Sequence, residues 1–113
     1  MNSSIPLAPR DLLVMSALAD GPLHGYGIIK AVEEECGPLL DPGNLYRVLR
    51  RMRRDGWVED APAAEGGGEG EQNRRRYRLT PRGRAVLRAE VERLEGVLSR
   101  VRPALAGRRG RTP

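Results

Sequence analysis

Phenylalanine is absent from this chain, aromatic residues make up 4% of it, and cysteine, histidine and lysine occur once each, as Cys36, His24 and Lys30. Each scarcity removes a class of explanation. A single cysteine forms no intrachain disulfide, so a reducing interior is the expected setting. One His and one Cys, with no clustered inward carboxylates, supply neither a nucleophile–base pair nor a metal-ligand set. The stretch Gly66-Gly67-Gly68-Glu69-Gly70 lacks the lysine and the helix entry of a phosphate-binding loop. An enzyme is therefore not expected, and neither a cofactor nor a metal. No segment approaches the ~20 apolar residues of a membrane span. The N-terminal stretch has no basic region followed by an apolar run, so it does not read as a signal peptide. The expected protein is soluble and cytoplasmic, with no membrane partner. A chain of 113 residues with 39% hydrophobic content builds one domain with a modest core, which oligomerisation would naturally supplement.

What the chain has in excess is positive charge. The net charge is +5, and of 20 Lys and Arg residues only Lys30 is a lysine. A polyanionic partner is favoured, because guanidinium groups make planar, bidentate contacts to phosphate and to guanine.

That charge is most organised between Asp41 and Gly56. Asp41 suits a helix cap, Pro42 the first helical position, and Gly56 the residue just past the end. With about 100 degrees per residue, Val48, Leu49 and Met52 fall within about 60 degrees of Leu45. Arg47, Arg50, Arg51 and Arg54 fall opposite, with Arg53 nearer the flank. One face is built to bury, and the other carries guanidinium groups with carboxylates only at the helix ends. Such a face is either a solvated surface or a nucleic-acid recognition surface.

The order of the remaining elements decides between these. Residues 1–8 read as a flexible arm. Pro9 can start a helix carrying Leu12, Leu13, Val14, Met15, Ala17 and Leu18, apolar around much of its circumference, which Gly21-Pro22 ends. A second helix runs to about Cys36, with Ile28, Ile29, Val32 and Cys36 as its buried stripe and His24 as a local cap. Gly25 and Gly27 in its first turns imply close backbone approach. Leu39 and Leu40 are expected to plug the core before the Arg-faced helix. After Gly56 the period becomes that of strands, at Trp57–Asp60 and Arg74–Leu79. In the second strand Arg75, Tyr77 and Leu79 share one face, and Arg74, Arg76 and Arg78 the other. The loop between them, residues 61–73, is rich in Gly and Glu, and is expected to be mobile.

The expected fold is mainly α with a small β-hairpin: a winged helix-turn-helix over residues 9–80, followed by a C-terminal dimerisation helix over 81–103. Thr80-Pro81 supplies the cap and first position of that last helix. Leu87, Val91, Leu94, Leu98 and Val101 recur with heptad spacing, which suggests pairing with a second copy, Leu12 joining them at the dimer interface. Pro103 is expected to stop the helix, and residues 104–113 read as a basic, disordered tail.

Leu18-Ala19-Asp20-Gly21-Pro22-Leu23-His24-Gly25-Tyr26-Gly27-Ile28, Pro42-Gly43-Asn44-Leu45-Tyr46-Arg47-Val48-Leu49-Arg50-Arg51-Met52, Asp55-Gly56-Trp57-Val58 and Arg75-Arg76-Tyr77-Arg78-Leu79-Thr80-Pro81-Arg82-Gly83 occur in this order. With these blocks the chain resembles the PadR family of bacterial transcriptional regulators, in its smaller subgroup with a single C-terminal helix. The resemblance implies a winged-helix homodimer that usually represses promoters. It also implies relief of DNA binding by an effector, often a small phenolic or drug-like molecule. Two departures stand out. Family members usually carry Thr or Ser where Asn44 stands, and the wing loop here is longer and carries Glu65, Glu69 and Glu71. An acidic loop tip is repelled by phosphate, so wing contacts should come from its Arg-rich base.

The reading is thus a sequence-specific DNA-binding regulator that acts as a repressor. It would bind a palindromic double-stranded operator as a homodimer, with release by a small-molecule effector. Asn44, Tyr46, Arg47, Arg50, Arg51 and Arg54 would meet the major groove and its phosphates, and Arg74 and Arg76 the flanking backbone. The alternative is a winged-helix protein-interaction module that docks its Arg face on an acidic partner.

Overall fold

Local capping chemistry sets the helix boundaries in the computed structural model, which describes residues 6–62 and 75–107. Helix α1 (Pro9–Ala17) starts on proline, and α2 (Gly25–Cys36) starts where His24 Nδ1 accepts the Gly27 N–H at 3.1 Å. Helix α3 (Pro42–Arg54) opens with a reciprocal capping box. Asp41 Oδ1 accepts the Asn44 N–H at 2.9 Å, while Asn44 Oδ1 accepts the Asp41 N–H at 3.2 Å. It closes with the Trp57 N–H on Met52 O and the Gly56 N–H on Arg53 O, the two bonds of a Schellman motif. Gly56 takes the left-handed φ of +81° that this motif requires.

The sheet has three strands. Strands β2 (Val58–Ala61) and β3 (Arg76–Leu79) form the expected hairpin, with Val58 opposite Leu79 and Asp60 opposite Tyr77. A two-residue strand, β1 (Leu23–His24), pairs antiparallel with the other edge of β3, in the order β1-β3-β2. The sequence reads Leu23-His24 only as a lead-in to α2. Two residues are too short for a periodic signal, and their pairing is set by β3, more than fifty positions away. Tyr77 and Leu79 point into the core, as the alternation requires.

The core is one cluster built from α1, α2, α3, the sheet and the start of α4 (Pro81–Leu105), with Met15, Leu18, Ile28, Leu45 and Met52 fully buried. All four apolar positions of α3 are buried: Leu45, Val48, Leu49 and Met52. Leu40 plugs this core but Leu39 is 51% exposed, since consecutive residues of an extended link point to opposite sides. Cys36 is also exposed, because α2 ends there and its last turn extends past the packed neighbours.

The first turn of α4 is locked to the hairpin. The Thr80 hydroxyl donates to Gly56 O at 2.6 Å and accepts the Gly83 N–H at 2.9 Å, and the Thr80 N–H donates to Trp57 O at 3.0 Å. A Cβ at Gly83 would stand 2.1 Å from Trp57 O, so only glycine fits. Pro103 does not stop α4, which runs on to Leu105. Proline in a helix's last turn costs only one backbone bond, to the carbonyl four residues earlier, and its ring does not forbid two further helical residues. The expectations for residues 1–5, 63–74 and 108–113, Arg74 among them, lie outside the described residues.

Candidate nucleic-acid interface

The buried stripe of α3 fixes which of its side chains can face outward. Tyr46 is 47% exposed, and Arg47, Arg50 and Arg54 are exposed beside it, on the side away from the core. Among the described residues none of these three guanidinium groups pairs with a carboxylate. Tyr46 is held at a defined height because its hydroxyl packs over the start of α2. A Cβ at Gly25 would lie 3.1 Å from Tyr46 Oη, which gives the expected close approach at Gly25 its physical cause.

Two other arginines of α3 are engaged within the fold. Arg51, which the helical wheel groups with the outward arginines, turns to α1 and binds Asp11 through both terminal nitrogens, at 2.7 and 3.4 Å. Arg51 follows the buried Val48 by three residues, and its long side chain reaches back over that edge of α3 to α1. Asp11, itself only 8% exposed, supplies a carboxylate that an apolar helix otherwise lacks. Arg53 reaches across to the hairpin and pairs with Asp60 at 2.5 Å. Asn44 spends its carbonyl oxygen on the Asp41 N–H and places its side-chain nitrogen 3.4 Å from Asp41 Oδ2, so its amide belongs to the α3 cap. In the wing Arg76 is half-buried and donates to Pro62 O at 3.0 Å, while Arg78 pairs with Glu59 at 2.9 Å.

The C-terminal helix divides in the same way. Leu87, at 9% exposed, closes the domain's own core instead of starting an intersubunit seam, because the first turns of α4 lie against α1 and β3. Leu12 is partly buried and also packs on that core. Farther along, Val91 is 41% and Leu98 49% exposed, with Leu94 and Val101 half-buried, so an apolar stripe remains open. Glu90 is 5% exposed and bound by Arg93 at 2.6 and 3.0 Å. The Arg93 hydrogen bond lowers the Glu90 pKa against the opposing effect of burial, with the Arg93 charge and the Leu7 backbone amide acting in the same direction. Among the described residues no His, Cys, Asp or Glu cluster is positioned to hold a metal, and no helix is long and apolar enough to cross a membrane.

The model of the PadR-like transcriptional regulator family matches residues 14–89, from the last turn of α1 to the start of α4. The chain belongs to this family. PadR-like proteins are regulators and not enzymes, in line with the missing catalytic set. Transcriptional regulator Rv3488 of Mycobacterium tuberculosis is 32% identical over 84 residues, covering 74% of each chain. An uncharacterized 37.1 kDa protein in transposon TN4556 of Streptomyces fradiae is 41% identical over 90 residues. That match covers 80% of this chain, which spans only 24% of the Streptomyces protein. In fold, the chain is similar to Bacillus subtilis PadR, solved in complex with operator DNA. The TM-score is 0.57 at 23% identity, over 72% of this chain and 45% of that one. Within this PadR-like fold the sequence reading misses Asp11 and Tyr77 as residues that shape the α3 surface, whereas Arg53, read as nearer the flank, does turn to the hairpin. Strand alternation already pairs Tyr77 with the inward face, and that was the available signal; the Asp11–Arg51 contact spans 40 positions and leaves none.

Proposed function

We propose that this PadR-like chain binds operator DNA as a homodimer and represses transcription, with α3 of each copy in successive major grooves of a palindromic site. The observation that carries the reading is the outward set Tyr46, Arg47, Arg50 and Arg54 on a helix whose opposite face is the domain core. Base edges and phosphates supply the acceptors that this face lacks within the described fold. Arg51 contributes less to DNA contact than its neighbours, because Asp11 already holds it. Arg76 acts from the base of the wing.

The open stripe of Val91, Leu94, Leu98 and Val101 supports pairing of two copies through α4. A 25-residue helix is about 37 Å long, and its last turns project beyond the domain that buries Leu87. Release by a small-molecule effector follows from the family resemblance. The Bacillus subtilis relative solved with operator DNA supports the choice of partner.

Footprinting on the DNA upstream of the protein's own gene, with a salt titration, tests the reading. Two protected half-sites about one helical turn apart, or a multiple of that, are expected. With ~6–10 phosphates contacted, affinity should fall ~10³–10⁵-fold between 50 and 200 mM salt. Salt-independent binding to that DNA would refute it.

A further inference from the structure

Between α3 and β3 lies a notch of about 230 Å³, lined by Tyr46, Leu49, Arg50, Arg53, Arg75 and Tyr77. That is below the ~300–1,000 Å³ of pockets that enclose drug-sized ligands, but ample for one small ion and its first waters. Its polar lining consists of donors. Arg50, Arg53 and Arg75 present guanidinium groups, and Tyr46 and Tyr77 present phenol hydroxyls.

Tyr77 is the unusual member. It is 5% exposed in the middle strand of the sheet, yet among the described residues its hydroxyl has no hydrogen-bond partner. Its ring is buried in the core while its hydroxyl opens on the notch, where a ligand would provide the acceptor. Burial raises the Tyr77 pKa, Tyr46 and Asp60 raise it further, and Arg75 and Arg53 oppose them. The net direction keeps the phenol protonated, and therefore a donor, at neutral pH. Asp60 is the one carboxylate in that set, and its charge is taken up by Arg53 at 2.5 Å.

We propose that this notch is a site for a single tetrahedral phosphate, held by the Tyr46 and Tyr77 hydroxyls together with Arg50 and Arg75. Neutral O–H donors around a cationic wall recognise an oxyanion through charge-assisted hydrogen bonds. The same chemistry is offered by a backbone phosphodiester of bound DNA and by a free phosphate or phosphomonoester. In its DNA form the inference rests on the function proposed above; in its free form it does not.

Two arms separate these sources. In the first, the DNA-free full chain is titrated calorimetrically with inorganic phosphate at constant ionic strength. In the second, operator duplexes carrying one neutral methylphosphonate linkage at a time are titrated with wild type and with Tyr77→Phe. If the site takes free phosphate, binding weakens at least tenfold in both Tyr77→Phe and Arg75→Ala and is unchanged in Arg88→Gln. If it takes a DNA phosphate, one linkage in each half-site costs wild type affinity but costs Tyr77→Phe nothing more. Circular dichroism confirms that each variant folds, and Arg75, being exposed, keeps the test decisive if Tyr77→Phe does not. Phosphate affinities that are the same in all four proteins, or absent, together with no such linkage, overturn the proposal. Wild type that binds no DNA refutes the function proposed above, while the phosphate arm still decides the site.

Discussion

Gly83→Ala is the substitution on which helix propensity and packing make opposite predictions. Gly83 lies in the first turn of α4, where alanine gains at most about 1 kcal/mol over glycine from helix propensity. The new Cβ would stand 2.1 Å from Trp57 O and 2.9 Å from the Trp57 carbonyl carbon. Carbon and oxygen settle at about 3.3 Å or more, so the helix start and the Gly56-Trp57 turn must part by roughly 1 Å. Trp57 O is backbone, and the same oxygen accepts the Thr80 N–H, so it cannot rotate away. Separation also stretches the Thr80 hydroxyl bond to Gly56 O. Overpacking of this kind costs about 1–3 kcal/mol, and two weakened hydrogen bonds add about 1 kcal/mol each. The net loss is about 2–4 kcal/mol, which in a domain of this size lowers Tm by roughly 8–16 °C. Thermal unfolding followed by circular dichroism measures it. Gly96→Ala is the control, for it lies in the same helix with nothing within 4 Å of its Cβ. It should gain about 0.5–1 kcal/mol. A Gly83→Ala protein that melts at or above wild type would show that the clamp between α4 and the hairpin is not what the packing implies.

Arg47→Ala and Arg50→Ala should each weaken operator binding by about 1–3 kcal/mol in a gel-shift titration, with the dimer mass unchanged; intact binding in the double variant would rule out α3 as the recognition helix. Asp11→Ala should destabilise the fold by about 1–2 kcal/mol in urea, the lower part of the range for a charge-assisted pair because Arg51 is 36% exposed. A double-mutant cycle with Arg51→Ala that showed no coupling would refute the pair. Glu90 is held ionised by Arg93, so its pKa is depressed in the fold. The stability it contributes is fully present above the unfolded glutamate value of about 4.3 and is lost as pH falls through the folded value. Glu90→Gln should therefore flatten the acid limb of the stability profile and leave the limb above pH 9 unaltered. Leu98→Glu places a charge in the open α4 stripe and should shift sedimentation toward the monomer with the melting curve of the domain little changed.

Much of this architecture was legible because its signals are local. The α3 cap, its proline, its four buried positions and the terminal glycine all lie within sixteen consecutive residues, and each acts on its near neighbours. The His24 cap and the inward face of β3 were readable for the same reason. What escaped notice depends on partners far away in sequence. Strand β1 exists because β3 has a free edge, and Leu87 is buried because α1 and β3 meet α4 at its first turns. Heptad spacing reports an apolar stripe but not which neighbour covers each residue, so it assigned Leu87 and Leu98 alike to a second copy. The structure separates them at about the point where α4 leaves the domain.

The arginines of α3 illustrate the same limit at the level of the site. A helical wheel treats guanidinium groups as equals, differing only in angle. The fold makes them unequal by supplying carboxylates at two points: Asp11 from α1, beside Arg51, and Asp60 from β2, beside Arg53. Each pairing ties a flank of α3 to a different neighbour, one to the first helix and one to the hairpin. Between these two ties the outward arginines Arg47, Arg50 and Arg54 share their surface with no carboxylate among the described residues. Like charges so arranged repel one another, and burying one more apolar residue would not relieve that; a bound polyanion does. The helix is therefore braced at its flanks by internal ion pairs and left electrostatically unfinished along its centre. This division of labour is what a surface that must be both rigid and receptive to phosphate requires.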